Sequence, residues 1–228
     1  MPMILGVTGS IATGKSGMCA YLVEEYGATH GDADKIVHRM FDPGREGFEN
    51  AVAEFGDEII GEDGYIDRKK IGNLVFGNPE NMSRWMKAIG DIEAEMRSVV
   101  ENWRSNLGNE EVAILEAVNL IEAGYSAWCD ATWLVAAENE IALPRLIARN
   151  NFSEEEAQQR LDAQRKWEDR APAADYIFHN DGRYEDFLEE VRQTFDRVHT
   201  QFKQATLPKS RWFAWNAANS ELRNATQS

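Results

Sequence analysis

The sequence predicts an α/β protein: a three-layer core on a five-stranded parallel sheet, with an inserted helical lobe and a helical lid. Three observations lead there. The first is Gly9-Ser10-Ile11-Ala12-Thr13-Gly14-Lys15-Ser16, which reads G-x-x-x-x-G-K-S. The second is its setting. A short apolar run, Met3 to Thr8, precedes it, and from Ser16 to Tyr26 the residues Met18, Leu22, Val23 and Tyr26 recur at helical spacing. The third is a set of later runs suited to strands, Val112–Ala117, Asp130–Ala137 and Ala174–Asn180, with helical patterns between them.

The spacing of the first stretch has a chemical reason. Glycines let the backbone curl until successive amide N–H groups point into one concavity, and the N-terminus of the following helix adds positive potential. In such a loop Lys15 reaches the β- and γ-phosphates of a nucleotide, and the Ser16 hydroxyl ligates Mg²⁺. A glycine-rich turn with a surface lysine is the plain alternative, and the strand-loop-helix setting favours the phosphate site.

Composition sets the outer limits. The chain has 228 residues, 43% of them hydrophobic, enough for a sizeable core in one α/β domain with insertions or in two small lobes. Its formal charge of −15 argues against a surface for nucleic-acid duplexes, which basic patches bind. A local basic cleft around a nucleotide remains compatible with that charge. Cys19 and Cys129 are the only cysteines and lack metal-ligand spacing. Cys19 falls on the apolar side of the first helix and reads as a buried free thiol, which suits a reducing cytoplasm. No secretory signal precedes the first strand, and no apolar run approaches the ~18 residues of a membrane span. The expectation is a soluble cytoplasmic protein with no membrane partner; no oligomeric state is assigned.

The second strand ends in Thr29-His30-Gly31-Asp32-Ala33-Asp34. Carboxyl ends of parallel strands gather on one edge, where ligands bind. Asp32 and Asp34 suit a general base for an acceptor hydroxyl, with the other carboxylate orienting Mg²⁺ or its waters. An Asx turn with a helix N-cap is the alternative use for one or both. From Lys35 to Leu107 the pattern is helical almost throughout, too long for a crossover helix, so it is expected to form an inserted lobe. Within it Asp67 can cap a helix, and Pro79 opens a longer helix that carries Trp85, Ile89, Ile92, Met96 and Trp103. Glu116 sits near the carboxyl end of the third strand, again on the ligand edge.

After the fourth strand, Arg145 and Arg149 fall four apart on one helix face. Ser153-Glu154-Glu155-Glu156 is a capping box for a second helix carrying Arg160, Gln164, Arg165 and Lys166. Phosphoryl transfer needs cations that close over the γ-phosphate, and an arginine-bearing helical pair makes such a lid. Arg165 and Arg170 fit an ordinary solvated face instead. The four histidines lack ligand spacing; His30 borders the expected site, while His38, His179 and His199 read as structural or surface residues.

Together these motifs resemble the dephospho-CoA kinase family. The matching residues are the phosphate loop, Asp32-Ala33-Asp34, Pro43-Gly44, Phe55-Gly56, Asp63-Gly64, Asp67-Arg68, Val75-Phe76, Arg145, Arg149, Arg160, Gln164, Ala174-Asp175 and Asn180-Asp181-Gly182. The chain departs from the family pattern at Gly17, at Gly90-Asp91, where His-Pro is usual, and at Val118-Asn119-Leu120-Ile121-Glu122, where Pro-Leu-Leu-Phe-Glu is usual.

The resemblance implies a nucleoside-monophosphate-kinase-like core, residues 1–34, 110–143 and 173–200. It further implies a helical CoA-binding lobe over 35–109 and a lid over 144–172, leaving a tail over 201–228. The implied reaction moves the ATP γ-phosphate, with Mg²⁺, to the 3′-hydroxyl of dephospho-CoA. Gly9, Ser10, Ile11, Ala12, Thr13, Gly14, Lys15, Ser16, Gly17, Arg145, Arg149 and Asn180 would hold ATP. Ser16 and Asp32 would hold the metal, and Asp34, Asp67, Arg68 and Glu122 would meet the acceptor. Asp34 is the expected base, with Asp32, Lys15 and Arg145 completing the catalytic set. Two alternatives stand beside this: a kinase of another nucleotide or small metabolite on the same core, and a non-catalytic ATP-binding regulatory protein. In the tail, Trp212, Phe213 and Trp215 suggest aromatic docking on the body or on another subunit; disorder is the competing expectation.

Overall fold

In the computed structural model, which describes residues 1–224, the first apolar run forms strand β1 (Met3–Gly9), buried along its whole length. Residues 225–228, the end of the expected tail, lie outside the described residues. Helix α1 (Lys15–Tyr26) follows the loop, and β2 (Thr29–Asp32) follows α1. The next elements are helical: α2 (Ala33–Met40), α3 (Glu46–Phe55), α4 (Arg68–Val75), α5 (Pro79–Ile89) and α6 (Ile92–Asn106). The chain then alternates through β3 (Val112–Glu116), β4 (Ala131–Ala136), α7 (Asn139–Asn150), α8 (Glu154–Asp162), the single turn α9 (Trp167–Arg170), β5 (Tyr176–His179) and α10 (Tyr184–Lys203). Helix α11 (Trp212–Asn224) closes the described chain.

The five strands form one parallel sheet in the order β2-β3-β1-β4-β5. On one side of β1, Val7 stands opposite Glu116 of β3; on the other, Gly9 stands opposite Val135 of β4. This register brings the phosphate loop, the last residue of β3 and the exit of β4 to one edge. Strands buried on both faces read as continuous apolar runs, which is why β1, β3 and β4 were legible from composition alone. On one face α1 and α10 pack Met18, Cys19 and Leu22 with Phe187, Val191 and Phe195 against the sheet. Each large apolar side chain moved out of water there contributes about 1.5–3 kcal/mol.

Two compact units divide the chain, one of residues 1–31 with 100–228 and the other of residues 32–99. The second unit has its own core, in which Phe41, Ile59, Ile71, Val75 and Ile89 are buried and Trp85 packs edge-on against Phe41. The sequence pattern predicts one long helix from Pro79 to Trp103, and the structure breaks it into α5 and α6. Gly90 takes φ 98°, a conformation open to glycine that ends the first helix, and the Asp91 carboxylate accepts from the Ala94 N–H at 3.0 Å to start the second.

The tail docks on its own unit. Trp212 is buried beside Ile121 and Ala173, and its indole N–H donates to the Ile121 carbonyl at 3.2 Å. The Asp175 carboxylate accepts from the Ser210 hydroxyl at 2.8 Å and the Arg211 N–H at 2.7 Å, which fixes the approach to α11. Trp212→Ala should cost about 3 kcal/mol and lower the melting temperature by roughly 6–12 °C in thermal denaturation; an unchanged melting temperature would mean that the docking is energetically idle. Among the described residues no helix is long and apolar enough to cross a membrane.

Candidate active site

The phosphate loop is wound around the carbonyl of Ser10. Lys15 Nζ and the Thr13 hydroxyl both donate to that oxygen at 3.0 Å. Gly14 leads into α1 with φ 107°, and a Cβ there would collide with the side-chain amide of Asn180. That amide donates instead to the Thr13 carbonyl at 2.9 Å, so the turn after β5 clasps the loop. Arg145 Nη1 donates to the Asn180 carbonyl at 2.9 Å. Three predicted nucleotide-site residues, Asn180, Arg145 and Lys15, are therefore joined to one another through the loop backbone. Gly17 lies against Tyr184, whose hydroxyl occupies the space a side chain at position 17 would need.

At the start of α1 the Ser16 hydroxyl donates to Glu116 Oε1 at 2.7 Å, and His30 Nε2 lies 3.0 Å from Glu116 Oε2. Glu116 is buried at the end of β3. Burial alone would raise its carboxyl pKa; the hydrogen bonds from His30 and Ser16 and the nearby Lys15 charge outweigh burial and hold it below the usual carboxylate range. The site thus keeps an ionised carboxylate beside the hydroxyl that follows the loop lysine. Hard oxygen donors of this kind suit Mg²⁺, which prefers a carboxylate, a hydroxyl and phosphate oxygens. Glu116 was placed on the ligand edge by sequence but given no role, because its partners lie on two other elements.

The segment that follows α8 reaches the same loop. The Ile11 N–H donates to Gln164 Oε1 at 2.7 Å, and the Ser10 hydroxyl donates to the Arg165 carbonyl at 3.2 Å. Ile11 and Ala12 pack on a small core of Ala142, Leu146, Ala157 and Leu161. The Ser153–Glu156 capping box forms as expected. Helix α8, however, ends at Asp162, so Gln164, Arg165 and Lys166 lie beyond it; the chain turns there to deliver Gln164 to the loop. A cavity of about 270 Å³ opens beside the loop, lined by residues that include Thr13, Glu138, Gln164 and Trp167. Arg149 points along its own helix end and donates to Asn150 Oδ1 at 2.8 Å. Pro144 falls inside α7.

Arg170 corrects the sequence reading. It is not on a solvated face but only 4% exposed. Its Nε donates to Glu122 Oε1 at 2.7 Å and its Nη1 to the Ser10 hydroxyl at 3.3 Å. The other carboxylate oxygen, Glu122 Oε2, is buried without a hydrogen-bond partner. The apolar run Ala171-Pro172-Ala173-Ala174 that follows Arg170 was the local sign of burial.

In the second unit, Asp32 Oδ1 accepts from the N–H groups of Asp34 and Lys35 at 3.0 and 3.4 Å, so Asp32 serves as the N-cap of α2. Asp34 stands exposed in the first turn of that helix. Asp67 caps α4 in the same manner, accepting from Lys69 and Lys70. A cavity of about 780 Å³ in this unit is lined by residues that include His38, Phe41, Tyr65, Asp67 and Arg68. It brings together both acceptor residues named from the lobe's sequence, Asp67 and Arg68, and adds His38, which the sequence left among structural residues.

Comparison with known proteins identifies the family. The family model for dephospho-CoA kinase matches residues 3–186. Over 199 residues, 87% of this chain and all of the relative, the sequence is 34% identical to a dephospho-CoA kinase of Streptococcus agalactiae. A solved dephospho-CoA kinase from Campylobacter jejuni superposes with a TM-score of 0.66 at 26% identity, covering 88% of this chain and 98% of that one. The fold alone extends to a shikimate kinase from Bacteroides thetaiotaomicron, with a TM-score of 0.50 at 15% identity over 86% of this chain and 98% of the other.

Proposed function

This chain belongs to the dephospho-CoA kinase family, and we propose that its phosphate loop, Glu116 and Asp34 carry the transfer of the ATP γ-phosphoryl group to the 3′-hydroxyl of dephospho-CoA. The observation that carries the residue assignment is the hydrogen bond from the Ser16 hydroxyl to the buried, ionised Glu116, next to a lysine held inside the loop.

Each group has a role in this reading. The backbone amides of Gly9 to Gly17 and the Lys15 ammonium bind the triphosphate, Lys15 exchanging the Ser10 carbonyl for a phosphate oxygen. Ser16 and Glu116 would hold Mg²⁺, with Asp32 the further carboxylate proposed for its water shell; bound there, the ion would supply positive charge against the phosphates. Arg145 and Arg149 meet the phosphates from the lid, and Asn180 borders the adenine. Arg170 aligns Glu122 through its Nε hydrogen bond, and Glu122, Asp67 and Arg68 are the groups proposed for the acceptor. Asp34 accepts the proton of the acceptor 3′-hydroxyl as its oxygen bonds to the γ-phosphorus. The bond from that phosphorus to the β–γ bridging oxygen breaks, and its electron pair leaves with ADP. Cys19 and Cys129 are buried and form no disulfide, which accords with a reducing compartment, and the cytoplasm is the proposed site of action.

A panel of acceptors tests the assignment. With ATP and Mg²⁺, ADP release should require dephospho-CoA and should not be supported by adenosine, shikimate or gluconate. Turnover with another acceptor alone would transfer the chain to a different kinase activity. Nucleotide binding without turnover on any acceptor would favour a sensor.

A further inference from the structure

Cys19 on α1, His30 on β2 and Glu116 at the end of β3 place a thiol sulfur, an imidazole nitrogen and a carboxylate oxygen within 4.8 Å of one another. We propose that these three side chains form a binding site for Zn²⁺, and that zinc held there inhibits the kinase. The inhibition clause rests on the function proposed above; the site itself does not.

The donor set selects the metal. A thiolate and an imidazole suit Zn²⁺, whereas Mg²⁺ takes oxygen ligands and keeps several waters. Three protein ligands with one open position form a common zinc geometry. Tetrahedral ligands about 2.0–2.3 Å from zinc stand roughly 3.3–3.8 Å apart. The His30 and Glu116 atoms are 3.0 Å apart and all three ligand atoms lie within 4.8 Å of one another, so closing the set requires movements of at most about 1 Å. Cys19 is fully buried at the base, while the imidazole of His30 is partly exposed and Ser16 lies at the surface.

Charge also balances. On binding, the Cys19 thiol releases its proton to solvent, His30 presents a neutral ring nitrogen and Glu116 one carboxylate oxygen. Thiolate and carboxylate together cancel the two positive charges of the ion, which offsets the cost of burying either anion alone. The consequence for the neighbouring hydroxyl is direct. Ser16 has Glu116 as its acceptor at 2.7 Å, and zinc would claim that carboxylate and place a second dication beside the proposed Mg²⁺ ligands. The two ions therefore compete through a shared residue. Cys129 has no part in this, since its sulfur lies by the Tyr125 carbonyl, outside the cluster.

Cobalt reads the site without turnover. The full chain in chelator-free buffer should take up one Co²⁺ with a near-ultraviolet thiolate-to-cobalt charge-transfer band, and Zn²⁺ should abolish the band. Zinc should also inhibit turnover at fixed Mg²⁺. Cys19→Ala should keep its zinc-free turnover, lose the band and require at least tenfold more zinc for inhibition, whereas Cys129→Ala should behave as the parent. Absence of a thiolate band in the parent chain, which needs no variant to fold, would overturn the site. So would a band that survives in Cys19→Ala. Zinc uptake without loss of turnover would overturn the inhibition. A chain that binds cobalt through Cys19 yet phosphorylates no acceptor would sink the kinase assignment and leave the metal site standing.

Discussion

Replacing Lys15 with alanine should abolish turnover, lowering kcat by roughly 10³-fold or more. Phosphoryl transfer gives the protein little covalent work; positioning and charge do most of it, and Lys15 is the cation that the loop itself supplies. Its ammonium is held 3.0 Å from the Ser10 carbonyl, at the centre of the loop. Loss of that charge should leave the fold intact, because the Ser10 carbonyl still accepts from the Thr13 hydroxyl and Asn180 still clasps the Thr13 carbonyl. Steady-state kinetics with far-ultraviolet circular dichroism would check both halves. Turnover near the parent level in a folded variant would place the triphosphate elsewhere.

The second large effect is expected from Asp34→Asn: kcat lower by roughly 10²-fold or more, with ATP affinity unchanged. An amide cannot take the acceptor proton, whereas ATP binding depends on the loop. The substitution is structurally mild. The Asp34 side chain is exposed, and its backbone N–H, not its carboxylate, makes the hydrogen bond to Asp32. Asp32 itself is committed to capping α2, which makes it the weaker choice for a group that must change its proton. Rates close to those of the parent enzyme in Asp34→Asn would nevertheless move the base to Asp32.

Legibility from sequence followed the range of the interactions. Strands β1, β3 and β4 were readable because burial on both faces leaves an uninterrupted apolar run, and the loop because its spacing is covalent. The Ser153 capping box and the Asp67 cap were readable for the same reason: their partners lie within three residues. Helix continuity failed at Gly90, where apolar periodicity persists on both sides and only a backbone angle breaks the run. The site was less accessible. His30, Glu116 and Ser16 meet from three elements far apart in the chain, so no local spacing announces them. Cys19 joins the same cluster, though the two cysteines and four histidines had been set aside for lack of ligand spacing. Arg170 misled because helical arginines are usually solvated; its burial depends on Glu122, 48 positions earlier. The tail's aromatic residues signalled docking, and Ile121 with Ala173 supplied a surface that could be known only from the fold.

The most direct test is a ³¹P NMR spectrum of the products formed from ATP, Mg²⁺ and dephospho-CoA. A new phosphomonoester resonance, coupled to the ribose H3′ and growing one for one with ADP, is the expected result. ADP accumulating with inorganic phosphate, and no phosphomonoester on the ribose, would contradict the assignment of this chain as a kinase of dephospho-CoA.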